Sequence, residues 1–212
     1  VDRYLQTTKI FDVQNDHEGL NYFIPPRDHV DLPSHFPGIL KNEYVALVIG
    51  AQHETKKMPV DKLAEFCRNL NLPVVLLGGP GDKKAGDEIF IKSGKNVKNG
   101  CGKFNINQSA SIVQQANIVV SHDTGLMHVA AAFKKKIVSL WGNTVPAFGM
   151  YPYQPHPSSE RFEIQNLPCR PCSKIGFQKC PRGHFKCMNE IDVLEVADRV
   201  RRLYQLDQIK AS

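Results

Sequence analysis

The 212 residues are 42% hydrophobic and 23% charged, with 27 Lys and Arg against 21 Asp and Glu, a formal net charge of +6. That length allows one ordinary α/β domain with an attachment, or two small domains, and suffices for a full core. No run approaches the roughly 18–20 apolar residues of a membrane span and the start "VDRYLQTTKI" has no signal-peptide core, so the chain reads as cytosolic; the scattered basic excess suits several anionic partners and selects none.

In chain order, residues 1–43 are polar and Pro-rich, as in "YFIPPRDHVDLPSHFPG", and read as a linker with one short strand pair. From residue 44 the pattern becomes regular. "YVALVIG" (44–50) is a continuous apolar run ending in Gly, as expected of a strand buried on both faces. "MPVDKLAEFCRNL" predicts a helix, with Pro59 at its first position and Leu63, Phe66, Cys67 and Leu70 along one stripe. Then follow a strand at 73–79, a helix near 82–93, a short strand near 96–98, a helix at 107–116 and a strand at 117–121. The stretch "DTGLMHVAAA" opens another helix, and "KIVSLW" (136–141) another strand. Strands alternating with helices predict a doubly wound, Rossmann-like parallel sheet.

Residues 143–190 hold many of the prolines and four of the six cysteines, and read as an irregular excursion. The chain then returns to a helix in "NEIDVLEVADRVRRLYQL". Its stripe of Val193, Val196, Ala197, Val200, Leu203 and Tyr204 is expected to pack back on the sheet.

Ligands of such a sheet bind beyond the carboxyl ends of its strands. The segments 50–59, 78–84, 100–105, 121–128 and 141–146 all fall there. No G-x-G-x-x-G or G-x-x-x-x-G-K-[ST] pattern occurs, which argues against a nicotinamide or P-loop site. The junction "SHDTGLMH" is the most specific feature: Asp123 is placed to cap the helix, and Thr124 and His128 share one face near its positive end. A cap with Thr, Gly and His at one sheet end suits a polar, phosphate-bearing ligand. Cys169, Cys172, Cys180 and Cys187 form C-x2-C-x7-C-x6-C, whose first pair has zinc-knuckle spacing and whose second pair is too wide for one. Structural zinc, with His184 as a substitute ligand, and free thiols both remain open.

The run "VVSHDTGLMHVAAAFKKKIVSLWGNTVP" resembles the signature of glycosyltransferase family 9, the ADP-heptose:lipopolysaccharide heptosyltransferases. "IGAQHETKKMP", "LLGGPGD", "CGKFN" and the Cys-rich "PCRPCSKIGFQKCPRGHFKCMNEID" extend the similarity over roughly residues 44–200. The resemblance implies a GT-B enzyme, with two Rossmann-like domains facing across a cleft, of which this chain is the C-terminal, donor-binding half. Residues 1–43 would be linker and the tail of an N-terminal acceptor domain. Residues 44–206 would form the nucleotide-sugar domain, with a Cys-rich loop at 166–188.

Carried over by position, the resemblance gives Lys56 the donor diphosphate, and with it stabilisation of the leaving group. It gives the Thr124 and Gly125 amides the phosphate oxygens, and Asp123 and His128 the diphosphate-sugar end. Asp82 falls near the ribose and Phe104 at the base pocket. "AQHET" and Phe104 depart from the commoner family residues. The donor would be ADP-heptose-like, with no metal or other cofactor required. The acceptor would be a lipid-linked saccharide, and the catalytic base would lie in the other domain. No nucleic-acid partner is implied, and membrane association is at most peripheral, at the inner face of the inner membrane. Two other classes stay open: a non-catalytic nucleotide-sugar-binding module, and a nucleotide-sugar epimerase, which would need catalytic carboxylates beyond Asp82 and Asp123.

Overall fold

The computed structural model describes residues 1–211, with side chains through residue 205. Its helices are α1 (Asp2–Thr7), α2 (Leu32–His35), α3 (Val60–Leu70), α4 (Lys83–Ser93), α5 (Ile106–Gln115), α6 (Gly125–Ala132), α7 (Lys186–Asn189) and α8 (Val193–Ala211). Its strands are β1 (Val45–Val48), β2 (Val74–Leu77), β3 (Val97–Asn99), β4 (Ile118–His122), β5 (Lys136–Trp141) and β6 (Glu160–Glu163). They form one sheet in the order β3-β2-β1-β4-β5-β6. Every pairing is parallel.

That order follows from the apolar runs. Val45–Val48, Val74–Leu77 and Ile118–His122 are buried throughout, so each needs cover on both faces, and the crossover helices supply it. On one face Leu63, Phe66 and Leu70 of α3 meet Val196, Val200 and Leu203 of α8 over Leu47, Leu76 and Val120. On the other, Ile112 and Val113 of α5 and Met127 and Ala130 of α6 cover Ala46, Val75 and Val119. The chain crosses between faces after β3, so the strand order reverses at β1 and β4. The crevice in which an open sheet accepts a ligand therefore lies beyond the carboxyl ends of these two strands.

Two expectations need correction. Part of the segment read as linker is core: Val30, Leu32, Phe36 and Ile39 are buried against the α5 face. Asp28 there accepts from the side chains of Asn105 and Asn107, and Val30 N donates to Ser111 Oγ. Prolines interrupt any period among these apolar residues, which hid their burial. The irregular segment also contains a strand, β6, pairing Val138–Trp141 with Glu160–Glu163. As a charged edge strand it shows no apolar run.

Candidate functional site

The loop after β1 (residues 49–59) carries Lys56, and the end of β4 carries Asp123. Their side chains meet across the switch point, Lys56 Nζ lying 2.6 Å from Asp123 Oδ2, with 13% and 6% of the side chains exposed. Thr144, fully buried in the turn after β5, donates its hydroxyl to the same oxygen at 3.0 Å. Asp123 Oδ2 is thus held twice, while no described residue bonds Oδ1. This replaces the capping role expected of Asp123: the N-cap position of α6 falls on Thr124, and no side chain caps the helix. A carboxylate beside a half-buried ammonium gains more from that charge-assisted bond than from a cap.

The amides of Thr124 and Gly125, which open α6 directly after Asp123, lie outside its i→i−4 ladder, whereas Met127 N donates to Thr124 O at 3.1 Å. Gly125, the first residue of α6, is exposed, and a Cβ there would meet nothing within 4 Å. His128, one turn on, has its pKa lowered, chiefly by burial; the Asp123 carboxylate opposes the shift and Lys56 adds to it. Lys56, Asp123, Thr124, Gly125 and His128 therefore share one end of the sheet.

Asp82 belongs to an adjoining cluster. Its Oδ1 lies 3.0 Å from Lys57 Nζ, and its Oδ2 accepts Gly79 N at 2.9 Å. It lies so close to the strand ends that a Cβ at Gly78 would come within 2.8 Å of its own Cβ. Lys57 also reaches Glu54 at 2.7 Å; burial opposes its charge, but these two carboxylates outweigh burial and hold it above the ordinary lysine range. Lys57 and Asp82 together border a cavity of about 740 Å³ between α3, α4 and the Cys-rich loop. Phe104 is in edge contact with His35 at a centroid distance of 5.2 Å and lies beside Phe36 at 5.7 Å.

Sequence reasoning left three contributors unassigned. Thr144 lay within "WGNTVP", but nothing in that string singled out its hydroxyl. Lys57 was indistinguishable from its neighbour until the fold turned the two lysines to different carboxylates. His122, at the last position of β4, is fully buried, and its Nε2 accepts Met58 N at 3.0 Å, fastening the lysine loop to the strand. Burial lowers its pKa to about 4; Lys57 adds to the shift, while Asp82 opposes it. It is therefore the neutral imidazole that receives this bond.

The cysteines do not form a ligand shell. Among the described residues, no group of three or more His, Cys, Asp or Glu is arranged to hold a metal ion. Cys172 Sγ donates to Cys169 O at 2.8 Å, and Cys169 Sγ lies 3.7 Å from His184 Nε2. Burial pushes the Cys187 thiol up to about 11 and raises Cys172 as well, and neighbouring cysteines add to both shifts.

Known proteins resemble this chain in sequence and in fold. Lipooligosaccharide heptosyltransferase 2 of Haemophilus influenzae is 33% identical over 91 residues, covering 41% of this chain and 26% of that protein. Its counterpart from Campylobacter jejuni serotype O:6 is 24% identical over 212 aligned residues, covering 90% and 65%. The crystal structure of a family 9 glycosyl transferase from Veillonella parvula superposes with a TM-score of 0.76 at 20% identity, over 96% of this chain and 59% of that one. The chain thus spans less than two thirds of the length of these relatives. The family described as glycosyltransferase family 9 (heptosyltransferase) matches residues 6–178, more than half of the chain, and the chain belongs to that family.

Proposed function

We propose that this chain is the donor-binding half of an inverting heptosyltransferase, which moves heptose from ADP-heptose to the core of a lipopolysaccharide acceptor. The observation that carries the reading is the convergence of the Lys56 ammonium, the Asp123 carboxylate and the open amides of α6 at the β1/β4 switch point. The names of the heptosyltransferase relatives support the substrate class, and TibC, a fold relative, was solved with ADP-D-beta-D-heptose.

The chemistry follows from where charge develops. Breaking the bond between the anomeric carbon and the diphosphate leaves positive charge on the sugar and negative charge on the leaving group. Lys56 and the amides of Thr124 and Gly125 receive the diphosphate. Asp123, with Oδ1 spare, faces sugar hydroxyls, and His128 acts as a neutral hydrogen-bonding group at the same end. Inversion requires a base on the opposite face of the sugar, supplied by an acceptor-binding domain. Work at the inner membrane surface would then be peripheral, and among the described residues no helix is long and apolar enough to cross a membrane.

Isothermal titration of the chain with ADP, UDP, GDP and their sugars tests the reading. ADP and ADP-heptose are expected to bind, with no heptose transfer to a lipid A-core acceptor by the chain alone. Failure of every nucleoside diphosphate to bind would move the function elsewhere. Transfer by the chain alone would overturn the half-enzyme assignment and leave donor binding intact.

A further inference from the structure

The turn that aims Thr144 at Asp123 does not hold itself in place. Asn143, at its centre, is 1% exposed, and neither polar atom of its side chain has a hydrogen-bond partner among the described residues. Three successive carbonyls of the turn are instead taken by one short piece of the Cys-rich segment. Arg170 Nε donates to Gly142 O at 2.5 Å, Cys172 N to Asn143 O at 3.1 Å, and Arg170 Nη2 to Thr144 O at 2.9 Å. The guanidinium also donates to Ile164 O at 3.1 Å and pairs with Glu163 Oε2 at 2.5 Å. The Arg170 and Glu163 side chains are only 5% and 9% exposed.

This clamp presses the turn against the lysine loop. A Cβ at Gly142 would come within 2.8 Å of both Thr55 O and Met188 Cε, so only glycine fits the contact. A planar guanidinium spans the carbonyls of residues 142 and 144 while still facing Glu163; an ammonium, a single point with three donors, cannot reach all of them at once. The contacts run from Glu163 through Arg170 to the Thr144 backbone, and from the Thr144 hydroxyl to Asp123, where Lys56 joins.

We propose that Arg170 is a positioning residue of the donor site, setting the Asp123 carboxylate through the Gly142–Thr144 turn without itself touching the ligand. The assignment rests on the donor-site reading above and adds to it a specificity role for a residue far along the chain from the strand-end motifs.

The test is a double-mutant cycle on ligand affinity, with Arg170→Lys, Thr144→Val and the double variant each titrated with ADP and ADP-heptose alongside the parent. Arg170→Lys is expected to weaken ADP-heptose about tenfold, the size of one well-aimed hydrogen bond, and ADP by clearly less. In the Thr144→Val background the same change is expected to cost ADP-heptose affinity nothing further, because the route to Asp123 is already cut. Glu163→Gln, which keeps an acceptor on the guanidinium, repeats the cycle in a milder form if Arg170→Lys does not fold. Effects that multiply in the double variant, or parent-like affinity in Arg170→Lys, overturn the assignment. A parent that binds neither ligand overturns the donor reading and this assignment together.

Discussion

The strand ends of residues 44–141 and the irregular stretch of 142–190 both build the site, by different physics. The sheet pairs β1 with β4 and so brings the loop that carries Lys56 beside the strand end that carries Asp123, where two residues 67 apart in sequence meet at 2.6 Å. The irregular stretch has no ladder, and positions Thr144 by spending a buried guanidinium on backbone carbonyls. It reaches the lysine loop by similar means: Thr55 Oγ1 accepts Phe177 N at 2.8 Å, and Phe177 O accepts Thr55 N at 3.1 Å. Repetition makes the first region tolerant, whereas the second depends on a few individual bonds.

The largest effect is expected from breaking the strand-end pair. Lys56→Met removes the partner of a buried carboxylate, which costs about 3 kcal/mol of stability on the scale of broken buried pairs. It should also weaken ADP by roughly tenfold to a hundredfold, the worth of a charge-assisted bond. Chemical denaturation and calorimetry measure the two. Unchanged ADP affinity would shift the phosphate contact to Lys57.

The strand end also carries a pH signature. The folded pKa of His122, about 4, lies below its ordinary value of 6.5, so the folded state resists a proton that the unfolded chain takes up. Stability contributed by the neutral form is complete above pH 6.5 and falls as pH drops from 6.5 toward 4, by about 3 kcal/mol in all. The lowered carboxylates Asp28, Asp31 and Asp61 lose their contribution only further into acid, below the ordinary aspartate value of 3.8. Denaturation midpoints measured across that range should flatten in His122→Asn. A slope that survives the substitution would assign it to another group.

A smaller effect tests the irregular region. Thr55→Val strips the hydroxyl that bonds Phe177 and leaves a backbone N–H without its partner, for a cost of about 1–2 kcal/mol. Hydrogen exchange should then rise in residues 173–180 while β1 and β4 keep their protection. Equal loosening of the strands would show that the two regions do not fail separately.

The smallest change separates fold from function at one atom. Gly125→Ala adds a methyl group where the protein offers no neighbour within 4 Å and removes backbone freedom from the unfolded chain, so stability should rise by about 0.5 kcal/mol. If the diphosphate sits on these amides, ADP affinity should nevertheless fall. A variant that gains stability and binds as before would remove the helix start from the site.

What the sequence made legible tracks the same contrast. Val45–Val48, Val74–Leu77 and Ile118–His122 were visible because double burial demands continuous apolar runs, and the α6 junction because charged residues at a strand end have few structural uses. β6 escaped because Glu160 and Arg161 pair at an edge without an apolar signal. Arg170 escaped because its partners are carbonyls, which every sequence has everywhere; an arginine set between prolines in a cysteine-rich loop was the only hint. The role of Asp123 was misjudged by one position: whether a carboxylate caps a helix or binds a lysine depends on a neighbour 67 residues away. The burial of Phe36 and Ile39 depended likewise on helices much later in the chain.

The pairing of Lys56 with Asp123 carries a consequence for selectivity. A bare cation at the β1/β4 crevice would attract any small anion, but here its charge is already answered by a carboxylate from the same chain. An incoming inorganic phosphate that claimed Lys56 would leave Asp123 with only the Thr144 hydroxyl and a repulsive neighbour, an arrangement costly at 6% exposure. A diphosphate that brings a sugar with it offers compensation to both halves, its phosphates to the lysine and its hydroxyls to the carboxylate. The ion pair would thus act as a two-key lock, rejecting abundant simple phosphates by what they lack.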